Sequence, residues 1–305
     1  MSVAEKMTAI ADAIRGKTGK TEKLSLDEMA TEINEISTGE RDINPEWTDW
    51  RYFSCYNNRN DLVAKLKYSD TSNGTNFSYM FDNCSSLTTI PEIDTSNGTN
   101  LSYMFMKCES LKSIPICNTN KNKDFKYIFS YCSALTTIPE IDTSNGTSFS
   151  SMFRDCVSLT TIPTLNTSKG VEHESMFNGC SALIAVPPLN TSKSSKVSYM
   201  FNGCSALTTI SQIDFTKVVT SSYISNVFKN CNSLTDLNVI GTINTTGLNV
   251  QYSPLSHDSL MSIINALANK TGVSGTWKVT LGATNLAKLT DDEIAIAEGK
   301  GWTLA

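Results

Sequence analysis

Charge is scarce in this chain of 305 residues, histidine scarcer still, and long apolar runs are missing altogether. Charged residues make up 18% and the formal net charge is -5, so the chain lacks the dense basic face that a nucleic-acid binder displays. No stretch of eighteen apolar residues occurs, which excludes a transmembrane helix by hydropathy. In the opening MSVAEKMTAIADAIRGKTGK, charge interrupts the apolar residues every few positions, so no signal-peptide core is present. The expectation is a product that stays in the cytoplasm of the cell making it, unless it leaves inside a larger particle. Only His173 and His257 could serve as imidazole bases or ligands. No two of the nine cysteines form the close CxxC pair typical of zinc sites.

What the chain has instead is a period. Cys84, Cys108, Cys132, Cys156, Cys180 and Cys204 stand 24 residues apart, and Cys231 follows after 27. Three residues before each cysteine is a phenylalanine: Phe81, Phe105, Phe129, Phe153, Phe177, Phe201 or Phe228. Before that comes Met80, Met104, Ile128, Met152, Met176, Met200 or Val227, and three residues after each cysteine comes a leucine, from Leu87 to Leu234. Isoleucine-like residues occupy the sixth and ninth places after it, as at Ile90 and Ile93; Cys117 fills one of these slots. Asp-Thr-Ser-Asn-Gly runs such as Asp94 to Gly98 separate the apolar slots and favour turns. Each unit therefore reads as a short strand around LTTIP, a polar turn, and a helical or 3₁₀ segment around FSYMF. One unit cannot bury its own apolar face, whereas stacked neighbours do so continuously. At about 4.8 Å per coil, seven coils span on the order of 35 Å. The cysteine column then lies in the core as reduced, packed thiols, small hydrophobes rather than bridges.

The motif MFDNCSSLTTIPEI (Met80 to Ile93) and its successors resemble the BspA-like leucine-rich repeats, over about 170 residues. The resemblance implies a surface or adhesion module, hence binding, and names no ligand. The fold class expected is α/β: a solenoid of 24-residue coils over 70–240, with an N-terminal helical hairpin and a small α/β C-terminal cap over 241–305.

The flanks follow different grammars. Over 1–40, Ile10 and Ile14, then Leu26, Met29 and Ile33, recur at helical spacing on either side of a break at Gly16 to Lys20. The segment IADAIRGKTGKTEKLSLDEMATEI resembles the short amino-terminal module of virion proteins of phages that infect Gram-positive hosts. That resemblance implies virion docking through Ile10, Ile14, Leu26, Met29 and Ile33. Residues 41–69, with Trp47, Trp50, Tyr52, Phe53 and Cys55, read as a linker and degenerate first coil. After 240, Leu260, Ile263, Ile264, Leu267 and Ala268 mark a helix with Ser256 or Asp258 as its cap. Trp277 to Leu281 alternate as a short strand, and Thr290-Asp291-Asp292-Glu293 opens a last helix, ended by Gly299 and Gly301. This ending is similar to the closing cap of phage-encoded proteins of the same repeat class.

Motifs that look chemical have plainer explanations. Gly19-Lys20-Thr21 lacks the earlier glycine and the preceding strand of a phosphate-binding loop. His173 falls in the slot of Phe77, Leu101, Phe125, Phe149 and Val197 and reads as a packing residue. His257, between Ser256 and Asp258, sits at a helix start, where capping explains the trio better than a triad. Asn-x-Ser/Thr triplets at Asn73, Asn97, Asn145, Asn166 and Asn190 recur because the turns use those residues. No catalytic, cofactor or metal set converges, so no enzyme and no cofactor is expected.

Two columns are candidates for ligand contact. On the strand face Thr89, Ser113, Thr137, Thr161 and Thr209, with Glu92, Glu140 and Gln212, should point outward and suit glycan or protein recognition. Tyr79, Tyr103, Tyr127 and Tyr199 form a second column, either packing at the edge of the core or standing out as a strip for stacking on sugars. The reading is a phage virion protein, tail-associated and receptor-binding, assembled in the bacterial host cytoplasm. Its N-terminal module would hold other virion proteins, and its solenoid would meet host polysaccharide or protein, with no nucleic acid and no membrane insertion. Homo-oligomer formation is left open, and capsid decoration and a bacterial surface adhesin are the alternatives.

Overall fold

The computed structural model describes residues 71–305. The docking module expected over 1–40, the linker and first coil expected over 41–69, and the Gly19-Lys20-Thr21 segment lie outside the described residues. From Thr71 the chain winds as a solenoid whose coils repeat the 24-residue period. Parallel bridges join Asn76 to Asn100, Asp124 to Ser148, Ser148 to Glu172 and Glu172 to Lys196, each one period on. The phenylalanine column is a continuous stack: the rings of Phe81, Phe105, Phe129, Phe153, Phe177, Phe201 and Phe228 lie nearly parallel with successive centroids 5.4 to 6.0 Å apart. With the Met, Leu and Cys columns it forms one buried core. Within the described residues the architecture is therefore a repeat solenoid, as the periodicity predicts.

Both segments of the coil differ from the expectation in detail. Among the described coils regular strand forms only at β1 (Ala185–Val186), β2 (Thr209–Asp214) and β3 (Asp236–Ile240), a parallel sheet in that order. The reason is the spacing of the buried residues. Cys84, Leu87 and Ile93 are buried while Thr88 and Thr89 are both exposed, so the chain turns inward at every third residue rather than every second. Cross-coil bonds tighten along the stack, from 3.5 Å at Thr136 N–H to Lys112 O down to 2.9 Å at Thr208 N–H to Ile184 O. Strand geometry appears where they have become short.

The FSYMF segment is not helical. Phe77, Met80, Phe81 and Cys84 are buried at i, i+3, i+4 and i+7, which imitates an amphipathic helix. The backbone instead makes consecutive turns with two left-handed residues per coil, such as Tyr79 (φ 60°) and Asn83 (φ 64°). Alternate N–H groups leave the coil: Phe77, Tyr79, Phe81 and Asn83 donate to Asn100, Ser102, Met104 and Met106 of the next one. The left-handed conformation costs roughly 1–2 kcal/mol at a non-glycine residue, and these bonds between coils offset it.

Beyond β3 a small α/β unit closes the stack. It comprises α1 (His257–Ala266), β4 (Lys278–Val279), α2 (Ala283–Leu286), α3 (Asp291–Gly299) and β5 (Thr303–Leu304), with β4 and β5 parallel. The strand expected over Trp277 to Leu281 is thus only two residues long. Ser256 caps α1, accepting from Ser259 N–H, and Thr290 and Glu293 form a reciprocal capping box on α3. Helix α1 covers the open edge of β3 with serines. Ser259 Oγ accepts from Leu237 N–H at 2.8 Å and Ser262 Oγ from Val239 N–H at 3.1 Å.

Candidate functional site

Two ladders of threonine run through the solenoid, and the fold uses only one. Thr71, Thr95, Thr119, Thr143, Thr167 and Thr191 are buried. Each donates its hydroxyl to the carbonyl 23 residues on, from Asp94 to Asp214, at 2.7 to 3.1 Å. Thr71, Thr167 and Thr191 also accept the N–H of that same residue at 2.7 to 2.8 Å. These hydroxyls tie each coil to its successor. The Asp-Thr-Ser runs by themselves predict only turns; the signal for these bonds is an invariant threonine beside variable neighbours.

The other ladder is on the strand face. Thr89, Ser113, Thr137 and Thr161 are exposed, as are Glu92 and Glu140, and their side chains make no hydrogen bond to the described residues. Thr209 and Gln212 are half-buried, and Gln212 Nε2 donates to Leu189 O at 3.3 Å. The structure therefore gathers the first six into one hydroxylated and acidic face and draws the last two partly into the frame. An exposed Ile116, beside Glu92 and Pro115, adds an apolar spot at the N-terminal end of this face.

The tyrosine column divides. Tyr79, Tyr103 and Tyr127 stack on one another at 4.5 and 4.8 Å with interplanar angles of 7° and 9°. Their faces are spent on each other, and burial, with the neighbouring tyrosines, pushes the Tyr103 hydroxyl up to about 12. Buried Ser151 and Ser175 occupy the next two positions, so Tyr199 stands apart and exposed. A continuous four-ring strip for sugar stacking does not exist, since two serines interrupt it.

The chemically suggestive residues prove structural. His173 is fully buried, stacks on Phe149 at 5.3 Å, and has its Nδ1 3.1 Å from Ser194 Oγ. Burial lowers its pKa to about 4. Ser256 caps α1, while His257 Nε2 reaches across to Glu293 Oε1 at 2.8 Å and so ties α1 to α3. The cysteines from Cys108 to Cys231 are buried unbridged thiols. All but Cys117 donate Sγ–H to the phenylalanine carbonyl of the preceding coil at 3.0 to 3.2 Å, as Cys156 does to Phe129. Burial drives their pKa upward, to about 12 at Cys132 and Cys231, so they are neither nucleophiles nor ready ligands. Among the described residues no group of three or more His, Cys, Asp or Glu could hold a metal ion, and no helix is long and apolar enough to cross a membrane.

Two solved structures are similar in part. One is a leucine rich cell surface protein from Faecalibacterium prausnitzii A2-165, 18% identical, with a TM-score of 0.32 over 58% of this chain and 62% of that one. The other is a leucine-rich repeat protein from Bacteroides ovatus ATCC 8483, 18% identical, with a TM-score of 0.32 over 77% of this chain and 64% of that one. The chain spans less than two thirds of the length of either. No curated protein matches it. A family model matches residues 51–161 and again 123–239, together more than half of the chain, and by that match the chain belongs to the family described as Mycoplasma protein of unknown function, DUF285.

Proposed function

We propose that this chain is a non-enzymatic recognition protein whose solenoid displays the strand face to a cell-surface polysaccharide or protein. The observation that carries the reading is the contrast between the two hydroxyl ladders. The buried threonines hold the coils together, whereas Thr89, Ser113, Thr137 and Thr161, with Glu92 and Glu140, are held in register and bond to nothing in the described fold. A rigid row of hydroxyls and carboxylates at coil spacing suits many weak polar contacts, and display in many copies turns such contacts into avidity.

The finer reading is a tail-associated adsorption protein of a phage, anchored to the particle through Ile10, Ile14, Leu26, Met29 and Ile33. It is supported by the resemblance of both terminal segments to phage proteins and by a core of reduced thiols suited to assembly in a reducing cytosol. A bacterial surface adhesin is the second reading, favoured by membership of a family described from Mycoplasma. Two measurements test these proposals. Thr137→Glu with Thr161→Glu leaves the core untouched and is expected to reduce sedimentation of the purified chain with host cells at least about tenfold, roughly 1.4 kcal/mol. Unchanged binding would dismiss the strand face. Immunogold label at the tail tip supports adsorption, label across the head means decoration, and label on the envelope of uninfected cells means an adhesin.

A further inference from the structure

The turn edge of the stack does not end as the strand edge does. In a typical coil, Phe149, Ser151, Phe153 and Asp155 donate to the carbonyls of Glu172, Glu174, Met176 and Asn178 at 2.7 to 2.9 Å. The equivalent donors in the last coil belong to Ile224, Asn226, Phe228 and Asn230. Ile224 N–H turns back to Ser221 O at 3.4 Å, and the other three meet no acceptor among the described residues. Phe228 is only 1% exposed, and a buried N–H without a partner is rare.

The step from Ser151 to Glu174 is 23 residues, and the same step from Asn226 and Phe228 arrives at Asn249 and Gln251. That segment is held by the closing unit instead, with Val250 N–H bonded to Thr280 O at 2.8 Å. Between the two segments is a cleft of about 210 Å³ lined by Asn226, Phe228, Lys229, Asn249, Gln251 and Tyr252. None of the six is acidic, Lys229 is exposed, and Tyr252 is 62% exposed. Two unpaired N–H groups, one cation and one exposed aromatic side chain therefore border the cleft. The cleft has room for one ring, not for a folded segment.

We infer that this cleft binds a single sugar ring bearing a carboxylate. Lys229 and the alternate N–H groups of Asn226 and Phe228 take the carboxylate and ring oxygens, the carboxamides of Asn226 and Gln251 take hydroxyls, and Tyr252 meets the ring face. The site is separate from the strand face and does not depend on the reading of that face.

The test is a titration of the ¹⁵N-labelled full chain with D-glucuronate, D-glucose and acetate, following the amides of Asn226, Phe228 and Asn230. Glucuronate is expected to shift them saturably, with glucose and acetate each weaker by roughly tenfold or more. Lys229→Gln and Tyr252→Ala should each lower glucuronate affinity about fivefold or more, while Thr137→Glu with Thr161→Glu should leave it unaltered. The inference is overturned by the absence of a saturable shift, by equal response to acetate or glucose, or by full affinity in both cleft variants. Slow exchange of the three amides in the unliganded chain, matching that of Ser151, would overturn it as well, because they would then already be paired.

Discussion

At the scale of single residues, several side chains do work that their type alone does not announce. The cysteine column reads from the sequence as small hydrophobes, and each thiol is indeed buried. What the spacing could not display is that the Sγ–H is a second donor to a carbonyl that already accepts a backbone N–H: Phe129 O receives both Cys132 N–H and Cys156 Sγ–H. Cys156→Ala should therefore cost on the order of 1 kcal/mol beyond its lost volume, for the hydrogen bond removed. Cys156→Ser keeps a donor and is expected to recover part of that, as chemical denaturation would measure. A second prediction concerns His173. Its folded pKa of about 4 lies below the unfolded value of about 6.5. The unfolded chain therefore takes up a proton near pH 6.5 that the folded ring refuses until near pH 4. Stability present above pH 6.5 is lost as pH falls through this window, by about 3 kcal/mol in all. His173→Phe should remove that slope, since Phe149 sits over Gly146 as His173 sits over Gly170. Urea midpoints of both forms between pH 7.5 and 4.5 provide the check; parallel profiles would mean that His173 is not the titrating group.

At the scale of the element, the places where sequence and structure part are places where two periodicities coincide. Burial at Phe77, Met80, Phe81 and Cys84 satisfies a helical template, yet the N–H groups of Phe77 and Phe81 bond to the next coil and Tyr79 is left-handed. Hydrophobic position was legible and backbone direction was not, because the acceptors lie 23 residues away rather than four. In the helices of the closing unit the capping bonds are local, and there the sequence signals were sufficient: Ser256 caps α1 and Thr290 with Glu293 caps α3, as capping rules predict. The phenylalanine stack supplies the element-scale test. Phe153 is fully buried between Phe129 and Phe177, so Phe153→Ala should cost about 3 to 5 kcal/mol and expose the coils to protease. A variant as resistant to protease as the parent would contradict the assignment of this column to the core. Ser262→Ala bears on the other edge. It removes the acceptor of Val239 N–H and should speed hydrogen exchange at Val239 while leaving the amide of Phe153 protected.

At the scale of the whole molecule, the candidate face was legible as a column because the period aligns Thr89, Ser113, Thr137 and Thr161. The break in the tyrosine column was readable too, from Ser151 and Ser175. The cleft at Asn226 was not, because it arises where the closing unit departs from the register of the coils. The direction of hydrogen bonding has a further consequence. Along the FSYMF-type segments alternate N–H groups donate toward the C-terminal end, as from Ser151 to Glu174, while at the preceding turns and beside the strand face they donate toward the N-terminal end, as from Thr147 to Lys123 and from Thr160 to Thr136. The two ends of a bare stack are therefore unlike but mutually complementary, which is the geometry of head-to-tail polymerisation rather than of a closed dimer. Ser259 and Ser262 accept the N–H groups of Leu237 and Val239 and so close the strand side of the C-terminal end. A fragment trimmed to residues 71–240 should grow into filaments whose light scattering rises with concentration, and adding residues 241–305 back to it should halt elongation. A trimmed fragment that stays monomeric would show that polarity alone does not make a fibre.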